Sequence, residues 1–130
     1  MVYKRIPSKE NISMRLSDAE WKVADCLWKN SSMTITELTR ELAPLTGWSK
    51  NTVITLLKRM MDKGAVTYVQ EDKAKRFCPA IDRTDAELEE TDSFLDKVYN
   101  GNVGLMISNL IGSDRLTDEQ LEELRKIIEG

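Results

Sequence analysis

The sequence predicts a mainly α chain with one small β hairpin. Three observations predict it. Capping residues open three helices between Ser17 and Ser49, and Gly64 stops the last of them. Residues 66–81 switch to strand alternation around a polar turn. From Asp82 onward the apolar spacing is helical again.

Taken in order, residues 1–13 show no clear period and read as a loose arm. Ser17 and Glu20 then make a capping box, with Leu16 and Trp21 as a hydrophobic staple. Ala19, Val23, Ala24, Leu27 and Trp28 follow at helical spacing, so the first helix runs to about Lys29. Thr34 and Glu37 form a second box, with Ile35, Leu38 and Leu42 on one face. Pro44 and Gly47 bound a turn, which ends that helix near Ala43. Ser49 caps the third helix. Two short helices joined through a compact turn are a helix-turn-helix. Val66–Gln70 reads as a strand, Glu71–Arg76 as a turn and Phe77–Ile81 as the return strand. Ser32-Met33 supplies a short third strand. Residues 14–81 are therefore expected to form a winged helix.

The back half, residues 82–130, opens with a capping box from Thr84 to Glu87 and a helix ending near Asn100-Gly101. Phe94, Leu95 and Val98 lie among its apolar positions. Val103, Met106, Ile107 and Leu110 crowd a short helix that Gly112-Ser113 breaks. Thr117 and Gln120 box the last helix, whose stripe includes Leu121, Leu124 and Ile128. So short a segment is close to the size below which a lone domain seldom closes its core. Its middle helix is apolar nearly all round, which demands burial on several sides. Sharing the core with a second copy meets that demand; folding back onto the front domain is the alternative.

Composition narrows the function. The chain has 130 residues, 41% apolar and 32% charged, as in ordinary globular proteins. No apolar run is long enough to span a membrane and no signal pattern opens the chain, so a cytoplasmic protein without membrane insertion is expected. There is no histidine, and Cys26 and Cys78 are the only cysteines. His-based catalysis, zinc clusters and disulfide frameworks have no residues to build on, and no glycine-rich phosphate loop is present. Neither an enzyme nor a cofactor or metal is expected. Residues 1–81 carry fourteen Lys/Arg against nine Asp/Glu, and residues 82–130 five against thirteen. A basic front and an acidic back suggest two jobs, with chance clustering of solvated charge as the bland reading.

The third helix has an apolar side, Val53, Leu56, Leu57 and Met60, and a side of neutral donors and cations. That second side is either an ordinary wet face or a groove-reading surface. Its position after a capped helix and a short turn favours the groove.

Several runs resemble one family, that of the BlaI/MecI/CopY repressors of penicillinase, methicillin-resistance and copper operons. Leu16-Ser17-Asp18-Ala19-Glu20-Trp21 looks like its first-helix signature. Gly47-Trp48-Ser49-Lys50-Asn51-Thr52-Val53 and Thr55-Leu56-Leu57-Lys58-Arg59 are similar to its recognition helix. Lys63-Gly64-Ala65, Phe94–Gly101 and Glu122-Glu123-Leu124 continue the likeness over residues 14–130. The resemblance implies a homodimer that binds an inverted-repeat operator, its C-terminal helices interlocked. In the β-lactam branch a membrane sensor protease triggers cleavage of an Asn-Phe bond. The matching pair here is Asn109-Leu110, with leucine in place of phenylalanine. The copper branch binds metal through paired C-terminal CxC motifs, which this chain lacks.

A recognition helix reads base edges in the major groove from its N-terminal residues, which assigns Lys50, Asn51, Thr52 and Thr55 to base contact. Ser49 at the helix N-terminus suits a phosphate. Lys58 and Arg59, with Lys73, Lys75 and Arg76 on the wing, suit phosphate neutralisation. Trp48 either lies beside a sugar-phosphate strand or plugs the core below the turn. Trp21 and Trp28 read as core and Cys26 as inert filling. Cys78 reads as a small strand residue, with redox sensing as the other possibility. A protein-binding winged-helix adaptor, and a repressor of this family with a metal or redox inducer, are the competing functions.

Overall fold

The structure, a computed structural model, describes residues 15–130; the arm expected over 1–13 lies outside the described residues. Three helices, α1 (Asp18–Asn30), α2 (Ile35–Thr46) and α3 (Lys50–Asp62), precede antiparallel strands β1 (Val66–Glu71) and β2 (Ala74–Pro79). Helices α4 (Arg83–Tyr99), α5 (Val103–Gly112) and α6 (Asp118–Glu129) follow. This is the predicted class, a winged helix-turn-helix followed by helices. The chain forms two compact units that divide at Glu90 and Thr91, inside α4.

Local hydrogen bonding explains why these helices start where they do. The Ser17 hydroxyl accepts from the Glu20 amide at 3.2 Å while the Glu20 carboxylate accepts from the Ser17 amide at 2.8 Å. Thr34 with Glu37, and Thr117 with Gln120, repeat that exchange. Each cap satisfies amides that the helix leaves orphaned, a contribution of about 1 kcal/mol.

Where the elements end is less faithful to the reading. α2 runs on to Thr46, with Pro44 inside its last turn. There a proline forfeits only one late hydrogen bond. What ends the helix is Gly47, left-handed at φ 70°, donating to the Ala43 carbonyl at 2.8 Å. α4 begins at Arg83, so Thr84 lies within its first turn rather than at its cap, and Glu87 pairs with Arg83. The wing is tighter than expected. Glu71 pairs with Ala74, leaving Asp72 and Lys73 as a two-residue turn, and Asp72 takes the left-handed φ of 53° that aspartate tolerates. Lys75 and Arg76 therefore sit on a strand. The third strand shrinks to one bridge, in which Met33 and Phe77 exchange backbone hydrogen bonds at 3.0 and 2.8 Å.

In the first unit the apolar stripes of α1, α2 and α3 converge. Val23, Leu27, Leu38, Val53 and Met60 are fully buried, with Met33, Val66 and Phe77 joining them from the sheet. Full burial of such side chains is worth about 1.5–3 kcal/mol each. In the second unit no residue from 91 to 130 is buried. Among the described residues no helix is long and apolar enough to cross a membrane.

Candidate nucleic-acid interface

Anchoring of α3 decides which of its side chains reach solvent. Val53, Leu56, Leu57 and Met60 are buried in the core, which turns Lys50, Asn51, Thr55, Lys58 and Arg59 outward, all exposed. Thr52 is half-buried at the edge. Ser49 caps the helix, its hydroxyl accepting from the Thr52 amide and lying 3.3 Å from the Thr52 hydroxyl. No acid sits in the first turn. The helix thus presents orphan amides and the positive end of its dipole to solvent, a setting that attracts an anion. The Thr55 hydroxyl donates to the Asn51 carbonyl at 3.0 Å. It is spent as a donor and offers outward only lone pairs and its methyl group.

The far end of α3 is tied down by a buried carboxylate. Glu20 is 1% exposed, and its Oε1 accepts from Lys63 Nζ while Arg59 Nε lies 3.8 Å from its Oε2. Burial pushes the Glu20 carboxyl up, but Lys63 and the Ser17 amide outweigh it and hold it below the usual carboxylate range. Lys63 Nζ also donates to the Arg15 carbonyl at 2.9 Å. In the sequence Lys63 stood only as part of a helix exit; its partners lie more than forty residues away.

On the wing, Lys73 is exposed at the turn and Lys75 Nζ sits 4.5 Å above the Tyr68 ring. Arg76 behaves otherwise. Its Nε donates to the Ser32 hydroxyl, and its Nη2 reaches the Ser32 carbonyl at 3.2 Å and Glu37 at 3.3 Å. This guanidinium braces the wing against the loop before α2 and the start of that helix. Trp48 is half-buried and packs against the core, and the Trp21 and Trp28 rings lie 5.4 Å apart. Cys26 is buried; burial pushes its thiol up and Glu41 and Asp25 add to the shift, which makes it a poor nucleophile. Cys78 is half-buried, with Sγ near the Arg76 carbonyl. Among the described residues no cluster of His, Cys, Asp and Glu could hold a metal ion.

The second unit holds the remaining predicted residues, and they do not close over one another. Phe94 (47% exposed), Val98, Val103, Leu110 and Ile128 (64%) face solvent; Leu95, Met106, Ile107, Leu121 and Leu124 are half-buried. Asn109 and Leu110 are both exposed within α5, and the Asn109 amide donates to the Tyr99 hydroxyl at 3.2 Å.

Known proteins match this arrangement. The penicillinase repressor family model covers residues 16–130. The penicillinase repressor of Bacillus licheniformis is 36% identical over 115 residues, 88% of this chain and 90% of its own. The methicillin resistance regulatory protein MecI of Mammaliicoccus sciuri is 25% identical over 119 residues, 92% of this chain and 97% of its own. A solution structure of monomeric Bacillus licheniformis BlaI in complex with the blaP half-operator is 37% identical, with a TM-score of 0.50, over 55% of this chain and 87% of that one. With the winged helix, the capped and outward-facing α3 and a family match spanning all its described elements, this chain belongs to the penicillinase repressor family of DNA-binding transcriptional repressors.

Proposed function

We propose that the chain is a homodimeric repressor of an inverted-repeat operator in double-stranded DNA. The observation that carries this is the outward face of α3, donors at its start and cations at its end, over a buried apolar face. Lys50, Asn51, Thr52 and Thr55 contact base edges, Asn51 by a bidentate bond to adenine and Thr55 through its methyl group to thymine. Ser49, the α3 amides, Lys58, Arg59, Lys73 and Lys75 hold phosphates, while Arg76 holds the wing in place. Trp48 supports α3 from below. Residues 14–81 do the binding and residues 82–130 the pairing. The solvent-facing Phe94, Val98, Val103, Leu110 and Ile128, with Leu95, Met106, Ile107, Leu121 and Leu124, form the surface that a second copy covers.

Release follows from loss of the dimer. A signal from a membrane sensor protease leads to cleavage at Asn109-Leu110, which detaches α6 from the shared core. The bond lies within a helix, so α5 must open before a protease can take it as an extended substrate.

Selection of duplexes from a random library tests the reading. Two half-sites in inverted repeat should emerge, bound by a dimer, with affinity falling about 10³–10⁵-fold between 50 and 200 mM salt for six to ten phosphate contacts. Enrichment of no duplex, or of single unpaired sites bound by a monomer, would overturn it.

A further inference from the structure

The chain leaves α1 by a strained route. Ser31 stands at φ 69° and ψ −46°, and the Ser32 amide donates to the Asn30 carbonyl at 2.8 Å. That is a three-residue γ-turn of the rare kind, and a serine there carries a Cβ that glycine would not. Strain of this sort persists where the surrounding structure demands it. Ser31 itself is exposed, so the demand does not come from packing of its side chain. What the turn delivers is Ser32. The Ser32 hydroxyl accepts from Arg76 Nε at 3.2 Å, and the Ser32 carbonyl accepts from Arg76 Nη2 at 3.2 Å. Nη2 also meets Glu37 Oε1 at 3.3 Å, the same oxygen that takes the Thr34 amide at 2.9 Å where α2 begins. One planar guanidinium thus holds a turn and a helix cap together, a fork that lysine's point charge cannot reproduce.

We propose that Ser31 is a positioning residue for DNA binding: its turn builds the socket that grips Arg76, and through Arg76 it sets where Lys73 and Lys75 of the wing meet phosphates. This rests on the reading of those two lysines as phosphate contacts. Residues 67–75 are all exposed, whereas Arg76 is half-buried and Phe77 buried. Among the described residues Arg76 therefore carries the outermost hydrogen bonds between the hairpin and the helices. Past it, three residues of strand, about 10 Å, lead to Lys73. A swing of about 20° at that root carries Lys73 about 3.5 Å, more than the length of a hydrogen bond. A hairpin that swings must also be ordered as it binds, a cost that the gripped hairpin has already met.

The test uses the full chain and a duplex holding one half-site recovered by the selection above, titrated between about 50 and 200 mM salt. The variants are Ser31→Gly, Ser31→Val, Arg76→Ala, Lys73→Ala/Lys75→Ala, and that lysine pair combined with Ser31→Val or with Arg76→Ala. Ser31→Gly keeps the turn without its strain and should bind within about twofold of the parent. Ser31→Val disfavours the turn and should bind about tenfold more weakly. No charge has changed, yet its slope of log affinity against log salt should flatten by about 0.9–1.8, the share of one to two phosphates. Arg76→Ala should weaken binding and flatten the slope at least as much. Neither change should cost more than about twofold once both lysines are gone, because its effect passes through them. Equal losses from Arg76→Ala with and without the lysines would make Arg76 a phosphate contact itself and overturn the inference. Parental binding in Ser31→Val, or a loss in Ser31→Gly as large as in Ser31→Val, would overturn it too. An unchanged slope after removal of both lysines would overturn the reading of the wing and the inference with it. Should Ser31→Val fail to fold, the comparison of Arg76→Ala with and without the lysines decides alone.

Discussion

Between Leu16 and Ala86 most apolar side chains of three helices and a hairpin bury one another, with Leu45 and Val69 as exceptions, and the outward face of α3 is polar. Between Thr91 and Gly130 the helices are as well formed, one of them opened by a capping box, yet no residue is buried and, beside the charged side chains, leucine, isoleucine, valine and phenylalanine are left outside. Both regions have regular backbone; only one has spent its apolar surface on itself. Secondary structure therefore says little about where a chain is finished. Burial says it directly, and an unburied apolar face is the mark of a surface awaiting another.

Joint replacement of Met106 and Leu110 by Asp strikes that contrast hardest. It should leave the winged unit folded, yield monomers by sedimentation and lower affinity for the full operator by about 10²–10⁴-fold, the value of linkage, with half-site binding kept. Leu27→Ala works from the other side. It opens a cavity in the finished core and should cost about 2–5 kcal/mol in denaturant unfolding.

Glu20 sharpens the comparison next, as a charge buried in the finished region. Its folded-state pKa is depressed, so its stabilisation is complete above its ordinary value of 4.5 and is lost as pH falls through the lower folded value. Glu20→Gln should cost about 1–3 kcal/mol at neutral pH, and parent and variant should converge on acidification. Convergence on raising the pH instead would contradict that sign. The smallest effect belongs to Asn51→Ala, which removes nothing from the core. Discrimination between operator and random DNA should fall by about 1–3 kcal/mol, with non-specific binding nearly unchanged in the same titration.

Three helix starts were legible because a capping box is a conversation between residues three apart, whereas the same spacing at Thr84 and Glu87 misled, since Arg83 takes Glu87 instead. Ser17, Thr34 and Thr117 needed no knowledge of the rest of the chain. The outward face of α3 was legible for the same reason, since a 100° step fixes which residues share a side. Helix ends were harder. Pro44 looked like a stop, but the helix runs past it at the loss of one hydrogen bond, and Gly47 does the stopping. The wing turn is shorter than the run Glu71–Arg76 suggests, because five polar residues around Ala74 hide a two-residue turn at Asp72 and Lys73. Lys63 and Arg76 could not be assigned locally. Glu20 lies 43 residues before Lys63, and Ser32 lies 44 before Arg76, so only the fold introduces them.

The Met33–Phe77 bridge gives the wing a clock of its own. Each of these amides is held by the other residue's carbonyl, so neither can exchange its hydrogen with water until hairpin and body part company. Asp72 and Lys73, in the turn at the far end of the hairpin, carry no such tie and should exchange with the fast class of loop amides. The wing should thus show a slow root and a fast tip in hydrogen exchange. The difference in exchange between Phe77 and Lys73 reads how often the wing lifts while the three helices stay closed.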